Sequence, residues 1–317
     1  VVVGYPDVKG REEILKVHSR NKPLGFDVDL GVIAKSTAGF TGADLENLLN
    51  EAALLAARKN LKAITQTEIE EATIKVVVGT EKKSRVMTEK EKTLTAYHEG
   101  GHAVATYYCS TQDPVHQISI IPRGMAGGYT MSIPTEDRNY RSRKEMEENI
   151  VTLLGGRVAE ALVLGDISTG ASNDIERATQ IARAMVTKYG MSERLGPICY
   201  GSDNNEVFIG RDMGHMKNYS EKIAAEIDEE IQKIVGRGYQ KTEQLLNEHM
   251  DKLHKVAQFL FVNEKMSGAE FKELMEAPAP EKLEEPDPQP LPGESEKEEA
   301  SAQEERTEEA PAEGTKE

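Results

Sequence analysis

A mainly α-helical chain carrying one small β-hairpin is what this sequence predicts, on three observations. Apolar residues recur at steps of three and four through most of the chain up to Met275. Helix-start signals of the form Ser/Thr-x-x-Asp/Glu stand in front of several of those stretches. Regular alternation of apolar and polar residues is confined to one short region, Val115 to Ile133.

The bounds are consistent with that class. A chain of 317 residues has room for about two domains, each with a buried core. The formal charge of −16 is concentrated at the end: Ala277 to Glu317 holds 14 Asp+Glu against 4 Lys+Arg, leaving −6 for the other 276 residues. This acidic, Pro- and Glu-rich tail has too few large apolar residues to offset its ordering entropy and is expected to be disordered. There is no basic footprint for nucleic acid. Two cysteines, Cys109 and Cys199, are too few for a disulfide framework and fit a reducing compartment such as cytosol. No apolar run reaches 18 residues, so the segment itself is expected to be soluble, and its start VVVGYPD, without a Met, reads as the middle of a longer protein.

Taken in order, Asp7 to Asn21 places Ile14, Leu15 and Val17 among charges, the pattern of a short amphipathic helix. Thr41 with Asp44 starts a second helix, whose Leu45, Leu48, Leu49, Ala52, Ala53, Leu55 and Ala56 keep helical spacing. Thr65 with Glu68 starts a third, ending near Gly79. Residues 1–80 therefore form a first, all-helical domain, and the polar stretch Glu81 to Arg85 leads into a second over 81–276, with 277–317 as the tail.

Thr88 with Glu91 opens the helix that carries the chemistry. It runs to Cys109 and contains His98, Glu99 and His102 in the order H-E-x-x-H, which puts two imidazoles one turn apart on one face with a carboxylate beside them. Both can bind one Zn²⁺, and Glu99 would then act as general base. The competing interpretation is a pair of core histidines with satisfied hydrogen bonds. Gly100 and Gly101 each cost about 1 kcal/mol relative to Ala inside a helix, which points to close packing at that place. A catalytic zinc needs a third ligand. The metzincin pattern would require Gly and His where this chain has Ala105 and Tyr108, so that class is excluded.

Val115 to Ile121 and Tyr129 to Ile133 make the hairpin, joined by an irregular connection with Pro122 and three glycines. Its edge could hold an extended peptide as an added strand. Ser142 with Glu145 opens a further helix, closed by Gly165, and the loop Asp166 to Asp174 precedes a helix stopped by Gly190. Asp174 thus lies at a helix N-terminus, where the dipole favours a carboxylate. Glu160 is the rival third ligand, or a partner that orients one of the histidines. The last region, Met213 to Met275, is read as long helices interrupted at Gly236 and Gly238, with His215, His249 and His254 on the surface.

The segments AYHEGGHAV, LLGGRVAEALVLGDISTGASNDIERATQIARAMV and YGMSERLGP resemble the FtsH family of membrane-anchored, ATP-dependent AAA+ zinc proteases. Upstream, GREEILKVHSRN and STAGFTGADLENLLNEAALLAARKN resemble the helical lid of an AAA+ ATPase module. The resemblance spans about residues 1–276. One departure is Gly100, where many members have Ala, and another is a slightly short loop between Glu160 and Asp174. It implies that Asp174 is the third zinc ligand, beside which Glu160 is read as the partner orienting a histidine, and that Ile14, His18, Gly42 and Ala43 lie near an adenosine. It also implies a homohexameric ring at the cytoplasmic face of the cell membrane, attached through preceding segments and degrading unfolded or membrane polypeptides. No G-x-x-x-x-G-K-[ST] loop occurs in these residues, so ATP and Mg²⁺ would be held by an ATPase core outside this sequence. The other functional classes are a catalytically silent scaffold or adaptor of the same fold, and a zinc aminopeptidase.

Overall fold

In the computed structural model, residues 4–81, 87–124, 126–134, 137–138, 140–200 and 219–277 are described. His215 and the expected acidic tail beyond Ala277 lie outside them. The first four helices are α1 (Val8–Ser19), α2 (Leu30–Ser36), α3 (Gly42–Arg58) and α4 (Gln66–Val78). Both expected capping boxes form, Thr41 with Asp44 and Thr65 with Glu68. Sequence reading passed over α2, because its seven residues are too short to show a helical period; its Asp29 cap accepts from the Gly31 and Val32 amides. Leu15, Ile33, Leu45, Leu48, Leu49 and Ile69 close a core among these helices.

The second core is built on α5 (Glu89–Tyr108), α6 (Arg143–Ala159), α7 (Ser172–Thr187), α8 (Glu221–Glu248), α9 (Met250–Asn263) and α10 (Gly268–Glu276). The mainly α class holds, and the expected hairpin gains a third strand. Strands β1 (Val115–Ser119), β2 (Tyr129–Ser132) and β3 (Lys265–Ser267) are antiparallel in the order β2-β1-β3, with Ile118 opposite both Thr130 and Met266. Three residues ahead of α10 were too few to read as a strand. Their pairing leaves β2 at an edge.

The interruption expected at Gly236 and Gly238 does not occur: α8 runs through both, and the chain breaks at His249 instead. Gly238 serves close approach, since a Cβ there would lie 2.7 Å from Ile150 Cγ2 on α6. His249 stacks on Tyr108 with ring centroids 3.7 Å apart, so it is not a bare surface residue. His254 is exposed, as expected, and its Nδ1 lies 2.9 Å from the Tyr97 hydroxyl.

Where α5 meets α6 the two backbones touch. A Cβ on Gly101 would fall 2.3 Å from the Gly155 carbonyl oxygen, and one on Gly155 would fall 2.6 Å from that of Gly101. Only glycine fits on either side of this crossing. After Ala159, α6 continues as one wider π-turn, Glu160–Leu164, which ends on Gly165 at φ 65°. Such turns rotate the following side chains relative to an α-helix. Here the turn delivers Glu160, fully buried, toward α5.

Candidate metal centre

His98 and His102 project from α5 toward α6, with ring centroids 4.7 Å apart and planes near perpendicular. Gly156 makes room for the first ring: a Cβ there would lie 2.5 Å from His98 Cε1. The glycine pair Gly155–Gly156 thus has two tasks, one toward the α5 backbone and one toward His98. A second glycine pair opposite Gly100–Gly101 was the available sequence signal for this packing.

Each imidazole is oriented through its Nδ1. His98 Nδ1–H donates to Glu160 Oε1 at 2.7 Å, and His102 Nδ1–H donates to the Thr152 carbonyl at 2.8 Å. Both partners are acceptors, so the proton of each ring belongs on Nδ1 and the lone pair on Nε2. Glu160 is itself held by Ser168, whose amide and hydroxyl donate to it at 2.6 and 3.0 Å. Burial works to raise the Glu160 carboxyl, but the hydrogen bonds from His98 and Ser168 outweigh it and hold it below its ordinary value.

The two Nε2 atoms face each other at 3.1 Å, and Asp174 Oδ2, from the first turn of α7, lies 3.5 Å from that of His98 and 3.4 Å from that of His102. Three electron-pair donors in so small a triangle call for positive charge among them, either a proton or a metal cation. Burial alone would lower His98, yet its contacts with Asp174 and Glu160 push it up to about 10. Asp174 is opposed by burial as well, but its contacts with His102 and His98 hold it well below the usual carboxylate range. The triangle suits zinc. Tetrahedral ligands at about 2.0–2.1 Å from Zn²⁺ stand roughly 3.3 Å apart, close to the three edges observed, and two imidazoles with one carboxylate are a zinc donor set. These three residues are also the only group of His, Cys, Asp and Glu so placed among the described residues.

Glu99 reaches the sheet, where the Thr130 hydroxyl on β2 lies 2.9 Å from its Oε2. Its carboxyl is nearly fully buried, and burial raises it above the ordinary carboxylate value, with His102, His98 and Thr130 pulling the other way. Gly128 leaves space for it, since a Cβ there would lie 2.7 Å from Glu99 Oε1.

Residues 85–274 match the model of peptidase family M41, well over half of the chain. The chain belongs to peptidase family M41. Residues 27–71 match the AAA+ lid domain, the segment spanning α2, α3 and the start of α4. Among curated relatives, an ATP-dependent zinc metalloprotease FtsH 1 of Thermoanaerobacter sp. (strain X514) is 62% identical over 274 residues, covering 86% of this chain and 45% of its own length. An ATP-dependent zinc metalloprotease FtsH of Caldicellulosiruptor bescii is also 62% identical, over 275 residues, 87% of this chain and 45% of the relative. That of Bacillus subtilis (strain 168) is 52% identical over 277 residues, 87% of this chain and 44% of the relative. The resemblance to the FtsH family is therefore borne out, and this M41 chain spans a little under half the length of the curated relatives it matches. Among the described residues no helix is long and apolar enough to cross a membrane.

Of the other expected residues, Ile14 and Gly42 come together on the lid side, a Cβ on Gly42 lying 4.0 Å from Ile14 Cδ1. Ala43 is exposed and His18 half-buried on α1. Sequence reasoning missed Thr152, Gly156, Ser168 and Thr130, which act through a carbonyl, an absent side chain or a contact across the fold. Only the Y-T-M alternation of β2, which puts Thr130 on the face opposite Tyr129 and Met131, carried a readable signal.

Proposed function

We propose that this chain is the proteolytic part of an ATP-driven zinc endopeptidase. The observation that carries this reading is the triangle of His98 Nε2, His102 Nε2 and Asp174 Oδ2, with the Glu99 carboxylate following His98 on the same helix. His98, His102 and Asp174 would hold Zn²⁺, and Glu160 would keep the His98 lone pair aimed at it. When bound, the ion supplies a Lewis acid that polarises the scissile carbonyl and acidifies a water. Glu99 takes the proton of the attacking water and passes it to the leaving amine. A carboxyl raised by burial suits both acts, because it binds a proton readily and still releases it.

On this proposal the lid takes residues 1–80, the peptidase 81–276 and an acidic tail 277–317, and the separate apolar cores on the two sides of residue 80 support the first boundary. In this reading Ile14, His18, Gly42 and Ala43 are the lid's side of an adenosine site, while the Mg²⁺ and phosphates of ATP are held by an ATPase core outside these residues. The relatives, ATP-dependent zinc metalloproteases, support ATP dependence and zinc. The family resemblance supports a homohexamer acting on unfolded or membrane polypeptides at the cytoplasmic face of a membrane.

The test is chelator-sensitive cleavage of an unfolded protein by the zinc-loaded chain, with release of internal peptides. Glu99→Gln should retain zinc and fold while cleavage falls by about two to four orders of magnitude. Undiminished cleavage by that variant refutes the assignment, and release of single N-terminal residues would make the chain an aminopeptidase.

A further inference from the structure

Strand β2 stands between the two cores. Tyr129 and Met131 turn one face toward the lid and form a small apolar cluster with Ile74 and Val78 of α4. Thr130, between them, turns the other way, as strand alternation requires. Its hydroxyl lies 2.9 Å from Glu99 Oε2 and 3.0 Å from the Glu99 carbonyl oxygen, so one side chain spans the carboxylate and the backbone of the same residue. On the other side of that carboxylate, Gly128 approaches so closely that a Cβ would lie 2.7 Å from Glu99 Oε1. Thr95 and the Ser119 carbonyl stand in the same gap, each 2.8 Å from that Cβ position.

We propose that Thr130 is the positioning residue for Glu99: its hydroxyl fixes the carboxylate rotamer, on a strand braced by the lid helix α4. This rests on the peptidase reading of Glu99. Glu99 has three side-chain torsions to order, and a nearly buried carboxylate without a donor would be costly to keep in one place. Thr130 supplies that donor from outside α5. Catalysis by a general base depends on the proton acceptor staying within hydrogen-bond reach of the water, so the contact acts on turnover and not on peptide binding.

The experiment compares Thr130→Ser, Thr130→Ala and Thr130→Val in the zinc-loaded 317-residue chain with a short peptide substrate. Ser and Ala both lack the methyl, and only Ser keeps the hydroxyl; Val keeps the shape and loses the hydroxyl. Expected is a fall in kcat of about ten- to a hundredfold for Ala and Val, with KM within about twofold and zinc content unchanged, and recovery to within about threefold of the parent for Ser. As a readout separate from activity, the carboxylate infrared bands of Glu99, isolated by subtracting the Glu99→Gln spectrum, should shift in Ala and Val and return in Ser. Should Val fail to fold, the Ser and Ala pair decides alone. Equal kcat for Ser and Ala, or an unshifted Glu99 band in Ala, overturns the proposal. If the parent chain shows no chelator-sensitive cleavage, the peptidase reading fails instead, and the infrared comparison still reports on the contact.

Discussion

His98 and Glu160, 62 residues apart in sequence, meet at 2.7 Å through Nδ1 and Oε1, on the side of the imidazole away from Asp174. The ring is thereby fixed between two carboxylates with different tasks. One accepts its proton, and the other faces its lone pair.

Replacing that proton acceptor tests the division. Glu160→Gln keeps an oxygen that can accept from Nδ1–H but removes the negative charge that makes the imidazole a better donor of electrons. Zinc affinity, measured by competition with a chromophoric chelator, should fall by about ten- to a hundredfold. An affinity equal to that of the parent would show that the buried charge does not serve the metal.

The crossing of α5 and α6 makes opposite predictions for adjacent glycines. Gly101→Ala places a methyl 2.3 Å from the Gly155 carbonyl oxygen, a backbone atom that cannot step aside without moving the helix. Denaturant unfolding should show a loss of roughly 1–3 kcal/mol or more. Gly100→Ala meets the flexible end of Leu253 at 3.3 Å, with Val256 Cγ1 at 3.5 Å and the Ala257 amide nitrogen at 3.9 Å in ordinary contact, and removing a helical glycine gains up to about 1 kcal/mol. That variant should lie within about 1 kcal/mol of the parent.

Glu148 makes a pH prediction away from the metal. It is buried on α6 and accepts from the Thr111 amide at 2.8 Å and its hydroxyl at 2.7 Å, tying that helix to the turn after α5. Burial works to raise its carboxyl, but the Thr111 hydrogen bonds, with Lys144 and Lys241, lower it on balance. A carboxyl lowered by folding contributes stability that is full above its unfolded value of about 4.3 and is lost as pH falls through the folded value. The stability gap between the parent and Glu148→Gln, about 1.5–3 kcal/mol near neutrality, should therefore close only in acid below about pH 4.3. A gap that closes between pH 8 and 6 would assign it to another group.

Much of this molecule is local and could be read from one sequence. Helix starts are set by a hydroxyl and a carboxylate three residues apart, which is why Thr41, Thr65, Thr88 and Ser142 were found where the structure has caps. Gly236 and Gly238 misled, because a glycine inside a helix reads alike whether it ends the helix or admits a neighbour. The packing of α6 against α8 accounts for Gly238, whereas a Cβ on Gly236 would meet open space. Strand β3 was illegible for a related reason: three residues have no period, and they pair because the chain returns beside β1.

The same boundary runs through the site. His98, Glu99 and His102 share a helix face because an α-helix repeats every 3.6 residues, and the sequence by itself determined that. It left Asp174 and Glu160 as open candidates, since a carboxylate's distance from a ring depends on how helices cross and not on its own neighbours. The tertiary structure decided where each stands, Asp174 Oδ2 on the Nε2 side and Glu160 on the Nδ1 side of His98. It does so by letting Gly101 and Gly155 touch and by widening one turn at Glu160, two features that exist only when α5 and α6 are packed together.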